Sequence, residues 1–156
     1  MADLLVPLYG LPALEPALER VRGDGCDVRR ALAPEKHLVT RWVGEQFSAA
    51  WASECEVGFA RVPLACFLAV RGAELCGFAA YEATCRNFFG PLGVRPDCGG
   101  AGLGAALLLS ALHAMRGEGY AYAIIGGAGP AAFFEKLAGA IAIPGSEPGI
   151  HRGMLR

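Results

Sequence analysis

The sequence predicts a single α/β domain over residues 1–156, with a mixed, mainly antiparallel central sheet and flanking helices. Three observations predict this fold class. The length suits one domain with a sizeable core. Residues 66–84 contain two apolar runs joined by a turn, which is typical of an antiparallel hairpin. Residues 87–125 contain a strand, a glycine loop, an apolar helix and a second strand, and a helical connection joins parallel strands.

The composition argues against several classes of partner. The chain is 54% hydrophobic and 19% charged, with a net charge of -1. It has no Lys/Arg run, so we expect no nucleic-acid or anionic-membrane partner. The six cysteines form no C-x-x-C pair, which favours reduced thiols and no metal site. No basic segment precedes an apolar run at the N-terminus, and we therefore expect a cytoplasmic protein.

The first half of the chain begins with a short apolar stretch, Leu4–Leu11. Residues Cys26–Leu32 favour a strand. Pro34 suits the first turn of a helix that continues toward Phe47. A second helix is predicted over Ala49–Gly58.

The middle of the chain is predicted to form strands. Cys66–Val70 and Leu75–Thr84 are joined by the turn residues Arg71–Glu74 and form a hairpin. The next strand, Asn87–Val94, contains Gly90 and Pro91. Proline donates no ladder hydrogen bond and glycine permits a bulge, so we expect free backbone groups at this point.

Three glycines at alternate positions open an apolar helix immediately after that strand. They are Gly100, Gly102 and Gly104, and the helix is expected to run from Gly102 to Arg116. Glycine has no Cβ, so a ligand can approach its backbone closely. The first helical turn also has unpaired amide hydrogens and the positive end of the helix dipole. The pattern therefore predicts a cradle for an anion, of which phosphate is the natural example.

The remaining elements complete the predicted sheet. Tyr120–Ile125 is an almost continuously apolar run, typical of a buried parallel strand. Pro130 starts a helix through Lys136 that stops near Gly139. Ile141–Ile143 and Ile150–Leu155 are predicted as short closing strands.

The order of these elements and four of their segments resemble the GNAT superfamily of acyl-CoA-dependent N-acetyltransferases. The segments are Val94–Pro96, Gly99–Gly104, Ala123–Ile125 and Pro130–Lys136. The loop pattern of this family is Q/R-x-x-G-x-G/A, and its later helix often contains F-Y-E-K. The resemblance implies a GNAT-like sheet with a splayed parallel strand pair. It also implies direct transfer of an acetyl group from acetyl-CoA to a primary amine of a small-molecule or peptide acceptor.

The resemblance also implies where acetyl-CoA binds. Amides from Gly100 to Gly104 would hold the pyrophosphate, and the pantetheine arm would lie between Leu92–Val94 and Ala123–Ile125. The implied cofactor-binding residues come from the strand, the loop and the later helix, and are Leu92, Gly93, Val94, Gly99, Gly100, Ala101, Gly102, Leu103, Gly104, Phe133 and Phe134.

Two residues depart from the family pattern. Gly99 stands where Arg or Gln is usual, which removes one side-chain contact to phosphate. Phe134 stands where many members have the Tyr thought to protonate the departing thiolate. A thiol pKa near 8.5 makes the thiolate a fair leaving group that water can protonate. The departures equally permit a second function, an acyl-CoA sensor or scaffold that keeps the fold without turnover.

Three residues are candidates for the acceptor side. Glu82, on the strand before Gly90, is the candidate general base, with a structural or solvated carboxylate as the alternative. Trp51 and Glu54 are three residues apart on one helix face and could line the acceptor pocket. Packing of the helix on the sheet explains Trp51 equally well.

Two other interpretations of the glycine loop are open. The loop satisfies the dinucleotide pattern G-x-G-x-x-A, but Arg95–Cys98 separate it from its strand, and the second strand ends at Gly126 rather than at an acidic residue. The loop could also be only a tight contact between helix and sheet. For the surface, pairing of sheet edges into a homodimer is compatible with so apolar a composition.

Overall fold

A central mixed sheet organises the chain, which the computed structural model describes over residues 1–100 and 102–156. In that described part the sheet has seven strands. In chain order they are β1 (Leu4–Pro7), β2 (Asp27–Arg30), β3 (Cys66–Arg71), β4 (Glu74–Tyr81), β5 (Phe88–Val94), β6 (Tyr122–Ile125) and β7 (Ile141–Ala142).

The spatial order of the strands is β2-β3-β4-β5-β6-β1-β7. The pair β5–β6 is parallel and the other neighbouring pairs are antiparallel. The mixed, mainly antiparallel α/β fold predicted from the sequence is confirmed.

Helices cover both faces of the sheet. They are α1 (Glu15–Gly23), α2 (Lys36–Gln46), α3 (Ala49–Phe59), α4 (Leu103–Gly117) and α5 (Ala131–Ala138). Short 3-10 turns lie at Leu8–Gly10, Ala33–Glu35, Pro96–Cys98 and Gly149–His151. Within residues 1–100 and 102–156, no helix is both long and apolar enough to cross a bilayer.

The side chains of the central strands point alternately to the two faces of the sheet, so the core consists of two clusters. Phe78 of β4 packs with residues of α2 and α3 on one face. Its neighbour Ala79 packs with residues of α4 and α5 on the other face. Successive side chains of a strand point to opposite faces, so one strand serves both clusters. Helix α4 carries nine buried residues, including Ser110, and so passes through the larger cluster.

Strands β5 and β6 are paired over only two positions. Phe88 and Phe89 face Ile124 and Ile125, and Ile124 N–H donates to Asn87 O at 2.9 Å. Beyond Phe89, β5 continues to Val94 paired with β4 alone. The two parallel strands therefore part after Phe89 and Ile125, as the resemblance implied.

The predicted bulge in β5 is confirmed and lies beside this opening. Tyr81 faces Phe89 and Ala79 faces Leu92, so β5 has one more residue than β4 between those two pairs. Gly90, in the extra length, has φ of +118°, a conformation that glycine adopts without a Cβ clash.

Two expectations about elements need correction, and one helix was not predicted. Helix α1 was missed because it is short and the least apolar of the described helices, with Val21 as its one buried residue. Strand β4 ends at Tyr81 rather than at Thr84, because Glu82 has φ of +57° and leaves the extended conformation. The segment Ile150–Leu155 is not a strand. It starts in the Gly149–His151 turn, and Gly149 and Gly153 have φ of +64° and +75°, which breaks an extended run.

Candidate functional site

The glycine loop has the geometry of an anion cradle at the start of α4. Gly100 and Gly102 have φ of +90° and +76°, and a Cβ added at Gly100 would meet no atom within 4 Å. Among the residues that the structure describes, the first hydrogen bond of α4 runs from Ala106 N–H to Gly102 O at 3.0 Å. The amides of residues 103–105 therefore precede the helical ladder, and the dipole of a 15-residue helix adds partial positive charge there.

Arg20 of α1 lies against this loop. An ideal Cβ on Gly102 would be 3.3 Å from Arg20 Nε and 3.4 Å from Arg20 Cζ. Among the residues that the structure describes, Arg20 has no ion-pair partner, whereas Arg22 on the same helix pairs with Glu15 and Asp27. A guanidinium is thus placed at the positive end of α4 with its charge uncompensated.

A cavity of about 740 Å³ begins where β5 and β6 part. One wall is Gly90–Leu92 of β5 and the opposite wall is Ile125–Pro130, which follows β6. Glu54 and Trp51 of α3 also line it, so the opening between the strands leads directly to the α3 side of the sheet.

Asp3 fixes the wall that follows β6. Its carboxylate accepts the Gly127 N–H at 2.9 Å, and its own N–H donates to Ser146 Oγ at 2.8 Å. Its carbonyl accepts from Ile143 N–H at 2.8 Å. One buried aspartate thus ties together two loops of the site.

Comparisons with solved structures identify the fold. A GCN5-related glucosamine N-acetyltransferase region of a fungal multi-domain GH3 β-N-acetylglucosaminidase superposes with a TM-score of 0.73 at 11% identity, over 91% of this chain and 19% of that one. A GCN5-related N-acetyltransferase from Sphaerobacter thermophilus gives 0.69 at 18% identity, over 91% of this chain and 48% of that one. The chain has the GNAT fold.

Other comparisons show how far the similarity extends in sequence and in length. A GNAT family acetyltransferase from Brucella melitensis, solved in complex with acetyl-CoA, gives a TM-score of 0.50 at 20% identity, over 76% of this chain and 91% of that one. The chain spans less than half the length of the first two structures. No protein-family profile and no curated protein matches the sequence.

The GNAT fold brings part of the predicted cofactor-binding set to the cavity and the loop. Leu92 and Phe134 line the cavity, and Gly104 lies beside Phe133, whose Cζ would be 3.4 Å from an added Cβ. Gly99 is extended and Leu103 is buried beneath the loop. Ala101 lies outside the described residues.

Gly93 and Val94 are placed differently from Leu92. A Cβ on Gly93 would lie 2.5 Å from the Phe47 ring, so this glycine permits close packing of an α2-side aromatic residue on β5. Val94 pairs with Gly77 of β4 and packs against the larger core cluster. The Cβ position of Gly93 is therefore covered by Phe47, and the Val94 side chain packs on the larger cluster on the other face of the sheet.

Phe134 forms an apolar wall of the cavity. Phe134 is buried. Its ring centroid lies 6.2 Å from the ring centroid of Phe89 and 5.1 Å from the ring centroid of Phe133. No hydroxyl is present at this position to protonate a thiolate.

Glu82 lies in a buried polar network. Arg61 Nη1 donates to Glu82 Oε2 at 3.1 Å, and Tyr120 OH donates to the same oxygen at 2.9 Å. The backbone N–H of Asn87 donates to Glu82 Oε1 at 2.5 Å. Its side chain is only 2% exposed, and Glu82 is not among the lining residues of the cavity. Its role as a general base stays a prediction, and these contacts favour a structural role.

The network extends to Tyr81. Its hydroxyl donates to Glu118 at 2.6 Å and accepts from Arg30 at 2.8 Å. Burial, followed by the hydrogen bond to Glu118, raises the pKa of Tyr81 to about 12. Tyr81 therefore stays neutral at physiological pH and serves as a hydrogen-bonding group of the network.

Trp51 packs on the sheet and also lines the cavity, and its role toward an acceptor stays a prediction. Its ring packs on Phe47 and Phe78, with centroids 5.2 and 6.1 Å away, and it also lines the cavity. Glu54, one turn later on α3, reaches the cavity and accepts a hydrogen bond from Thr84 Oγ1 at 2.5 Å.

Sequence reasoning missed Arg20, Asp3, Thr84 and His151 as residues of the site. Each reaches the site from a segment distant in the chain, so no local motif marks them. No group of three or more His, Cys, Asp or Glu side chains able to hold a metal ion is found among the described residues.

Proposed function

We propose that this protein transfers an acyl group, acetyl in the simplest case, from acyl-CoA directly to a primary amine. The observation that carries the proposal is the cavity that starts where β5 and β6 part and ends at the half-buried carboxylate of Glu54. Such an opening can hold a thioester arm at one end and an amine at the other. The GNAT fold supports acyl transfer from acyl-CoA in general.

The donor would bind mainly through the backbone. Amides of the loop from Gly100 to Gly104 and at the start of α4 would hold the pyrophosphate. The pantetheine amides would pair with the free edge of β5 beyond Phe89, as an added strand pairs with a sheet edge. Phe134 would pack against the arm near the thioester.

The reaction needs a neutral amine at the thioester carbonyl. Its nitrogen forms the new C–N bond, the C–S bond breaks, and CoA departs as a thiolate. Water protonates that thiolate, because the wall at Phe134 offers no hydroxyl and a thiol pKa near 8.5 makes the thiolate a fair leaving group.

A second function has a specific observation in its favour. Gly99 and Phe134 both lack side chains that the family pattern uses, which suits a protein that binds acyl-CoA without turnover. This sensor or scaffold would use the same donor site and would release no CoA in the presence of amines.

The two functions separate in a binding and turnover experiment. Acetyl-CoA is expected to raise the melting temperature saturably, since a ligand that binds only the folded state stabilises it. Free thiol should then appear only when a primary amine is added. Saturable binding without release of thiol would establish the sensor, and the absence of any shift with acetyl-CoA would contradict both functions.

Arg20 is expected to strengthen donor binding in place of the side chain missing at Gly99. Its guanidinium lies against Gly102, where a phosphate held by the loop amides would sit. Arg20→Ala should weaken acetyl-CoA binding about fivefold to tenfold, the value of one partly exposed charge-assisted hydrogen bond. Isothermal calorimetry at low and high salt measures the loss, which should shrink as salt screens the contact.

Two controls make the Arg20 effect specific. Arg22→Ala removes a cation from the same helix that is already paired with Glu15, and it should leave the affinity unchanged. Acetyl-pantetheine lacks the phosphates, so Arg20→Ala should not alter its use as a donor. Equal losses for acetyl-CoA and acetyl-pantetheine would show that Arg20 does not contact phosphate.

A further inference from the structure

Glu54 stands where two cavities meet. The first is the 740 Å³ cavity that opens between β5 and β6. The second, of about 450 Å³, adjoins the first one at Glu54. Both are lined by the same five residues: Trp51, Glu54, Thr84, His151 and Met154. A molecule bound across this junction would have one end toward the acyl donor and the other end away from it.

The carboxylate at the junction is suited to bind an ammonium group. Thr84 Oγ1 donates to Glu54 Oε1 at 2.5 Å, which orients the carboxylate and leaves Oε2 for another donor. Among the described residues Glu54 has no ion-pair partner, although His151 shares both cavities and Glu147 and Arg156 line the first one. Glu147 is exposed and contacts the amino group of Met1, whereas Glu54 is half-buried and lines both cavities.

The second cavity is mainly apolar. Apart from the five shared residues, Ala50, Val57 and Ala83 provide its apolar wall, and Ser53 is its additional polar residue. This second cavity is an open groove, because Ala50, Ser53, Val57 and Met154 are all exposed. An apolar group that contacts its wall removes apolar surface from water, at about 25 cal/mol for each Å². A polyamine would place a second cation against this apolar wall without a second carboxylate to pair with it.

We infer that Glu54 binds and deprotonates the acceptor, and that the acceptor is a primary amine with one compact apolar substituent, alkyl or aryl, which occupies the second cavity. The inference rests on the proposed acyl transfer. It assigns to Glu54 the base role for which Glu82 is poorly placed, because Glu54 lines the cavity and Glu82 is enclosed by Arg61 and Tyr120.

The proton balance of the step is simple. The ammonium form of the acceptor gives one proton to Glu54, and the neutral nitrogen attacks the thioester carbonyl. The C–S bond breaks, and the second proton leaves the nitrogen and reaches the departing thiolate through water. Glu54 then releases its proton to solvent, so the products are the amide, free CoA and one proton.

The test compares two variants on α3 with a set of amines. Glu54→Gln should lower kcat/KM for hexylamine and phenethylamine about one hundredfold and leave the affinity for acetyl-CoA unchanged. Glu56→Gln alters an exposed carboxylate two residues further on, and it should behave as the parent protein. The parent should use hexylamine and phenethylamine at least tenfold better than ethanolamine or spermidine.

A variant in the wall of the second cavity tests whether that cavity binds the apolar substituent. Val57→Asn changes an exposed wall residue outside both core clusters, and it should raise KM for hexylamine severalfold while KM for ethanolamine is unaffected. Transfer that prefers ethanolamine or spermidine, or a Glu54→Gln variant with parental kcat/KM, would overturn this inference while acyl transfer itself stood.

A failure of the proposed function gives a different result. The parent would then release no thiol with any amine. Calorimetric titration with hexylamine alone still tests the amine site in that case. Binding of hexylamine to the parent protein that is lost in Glu54→Gln would support the site. Absence of binding to the parent overturns it.

Discussion

Replacing Gly100 by valine (Gly100→Val) is expected to weaken acetyl-CoA binding at least one hundredfold. Gly100 has φ of +90°, which a β-branched residue rarely adopts, and its Cβ would project into the open space above the loop. The side chain would keep phosphate from the amides. Loss of two hydrogen bonds to a charged group amounts to about 3 kcal/mol or more, which corresponds to a factor of at least one hundred. Calorimetric titration with acetyl-CoA measures it.

A matched variant separates loss of the cradle from backbone strain. Gly119 follows the other end of α4, has φ of +104°, and an added Cβ there also meets no atom within 4 Å. Gly119→Val should therefore destabilise the fold about as much as Gly100→Val, by roughly 1–3 kcal/mol, and leave acetyl-CoA affinity unchanged. Equal affinity in both variants would show that the loop does not hold the donor.

Removal of the Glu82 carboxylate is expected to cost about 3 kcal/mol of unfolding free energy, because it leaves a partly buried guanidinium and two polar groups without their acceptor. The Glu82→Ala variant measures this loss, since Arg61, Tyr120 and the backbone N–H of Asn87 all donate to Glu82. In a chain of this size the melting temperature should fall by roughly 6–12 °C. Calorimetric melting provides the measurement.

A double variant tests whether the loss comes from the broken network. Arg61→Met combined with Glu82→Gln removes both charges and should recover part of the stability lost by Glu82→Gln alone. If Glu82 were instead the general base, Glu82→Gln would abolish turnover even at temperatures where the variant is folded. We expect kcat of Glu82→Gln to remain within about threefold of the parent value at temperatures where the variant is folded.

The unit from β5 through α4 to β6 could be predicted from sequence because its signals are local. Gly90 and Pro91 mark the bulge, the alternate glycines mark the start of α4, and the apolar run before Gly126 marks β6. Each signal depends on backbone freedom or periodicity within a few residues, and both can be read without knowledge of distant contacts.

The residues proposed to bind the acceptor could be predicted only in part. Helical spacing placed Trp51 and Glu54 on one face of α3, and the structure brings both to the cavity. The hydroxyl that orients Glu54 belongs to Thr84, thirty residues further on, and the contact of Arg20 with Gly102 joins segments still further apart. Such pairings follow from tertiary packing and leave no pattern in the sequence.

The position of β1 affects how the molecule is made on the ribosome. β1 lies between β6 and β7, with Leu4 opposite Ile125 and Ala142, so its hydrogen-bonding neighbours are synthesised long after it. Chains emerge at about 5–20 residues per second, and long-range strand pairing is slow to form. The first strand must therefore remain without its sheet neighbours until residues 122–142 have been synthesised. Asp3 cannot bind the loop at Gly127 before that loop has left the ribosome, so the cavity forms only after β6 and the loop that follows it have been made.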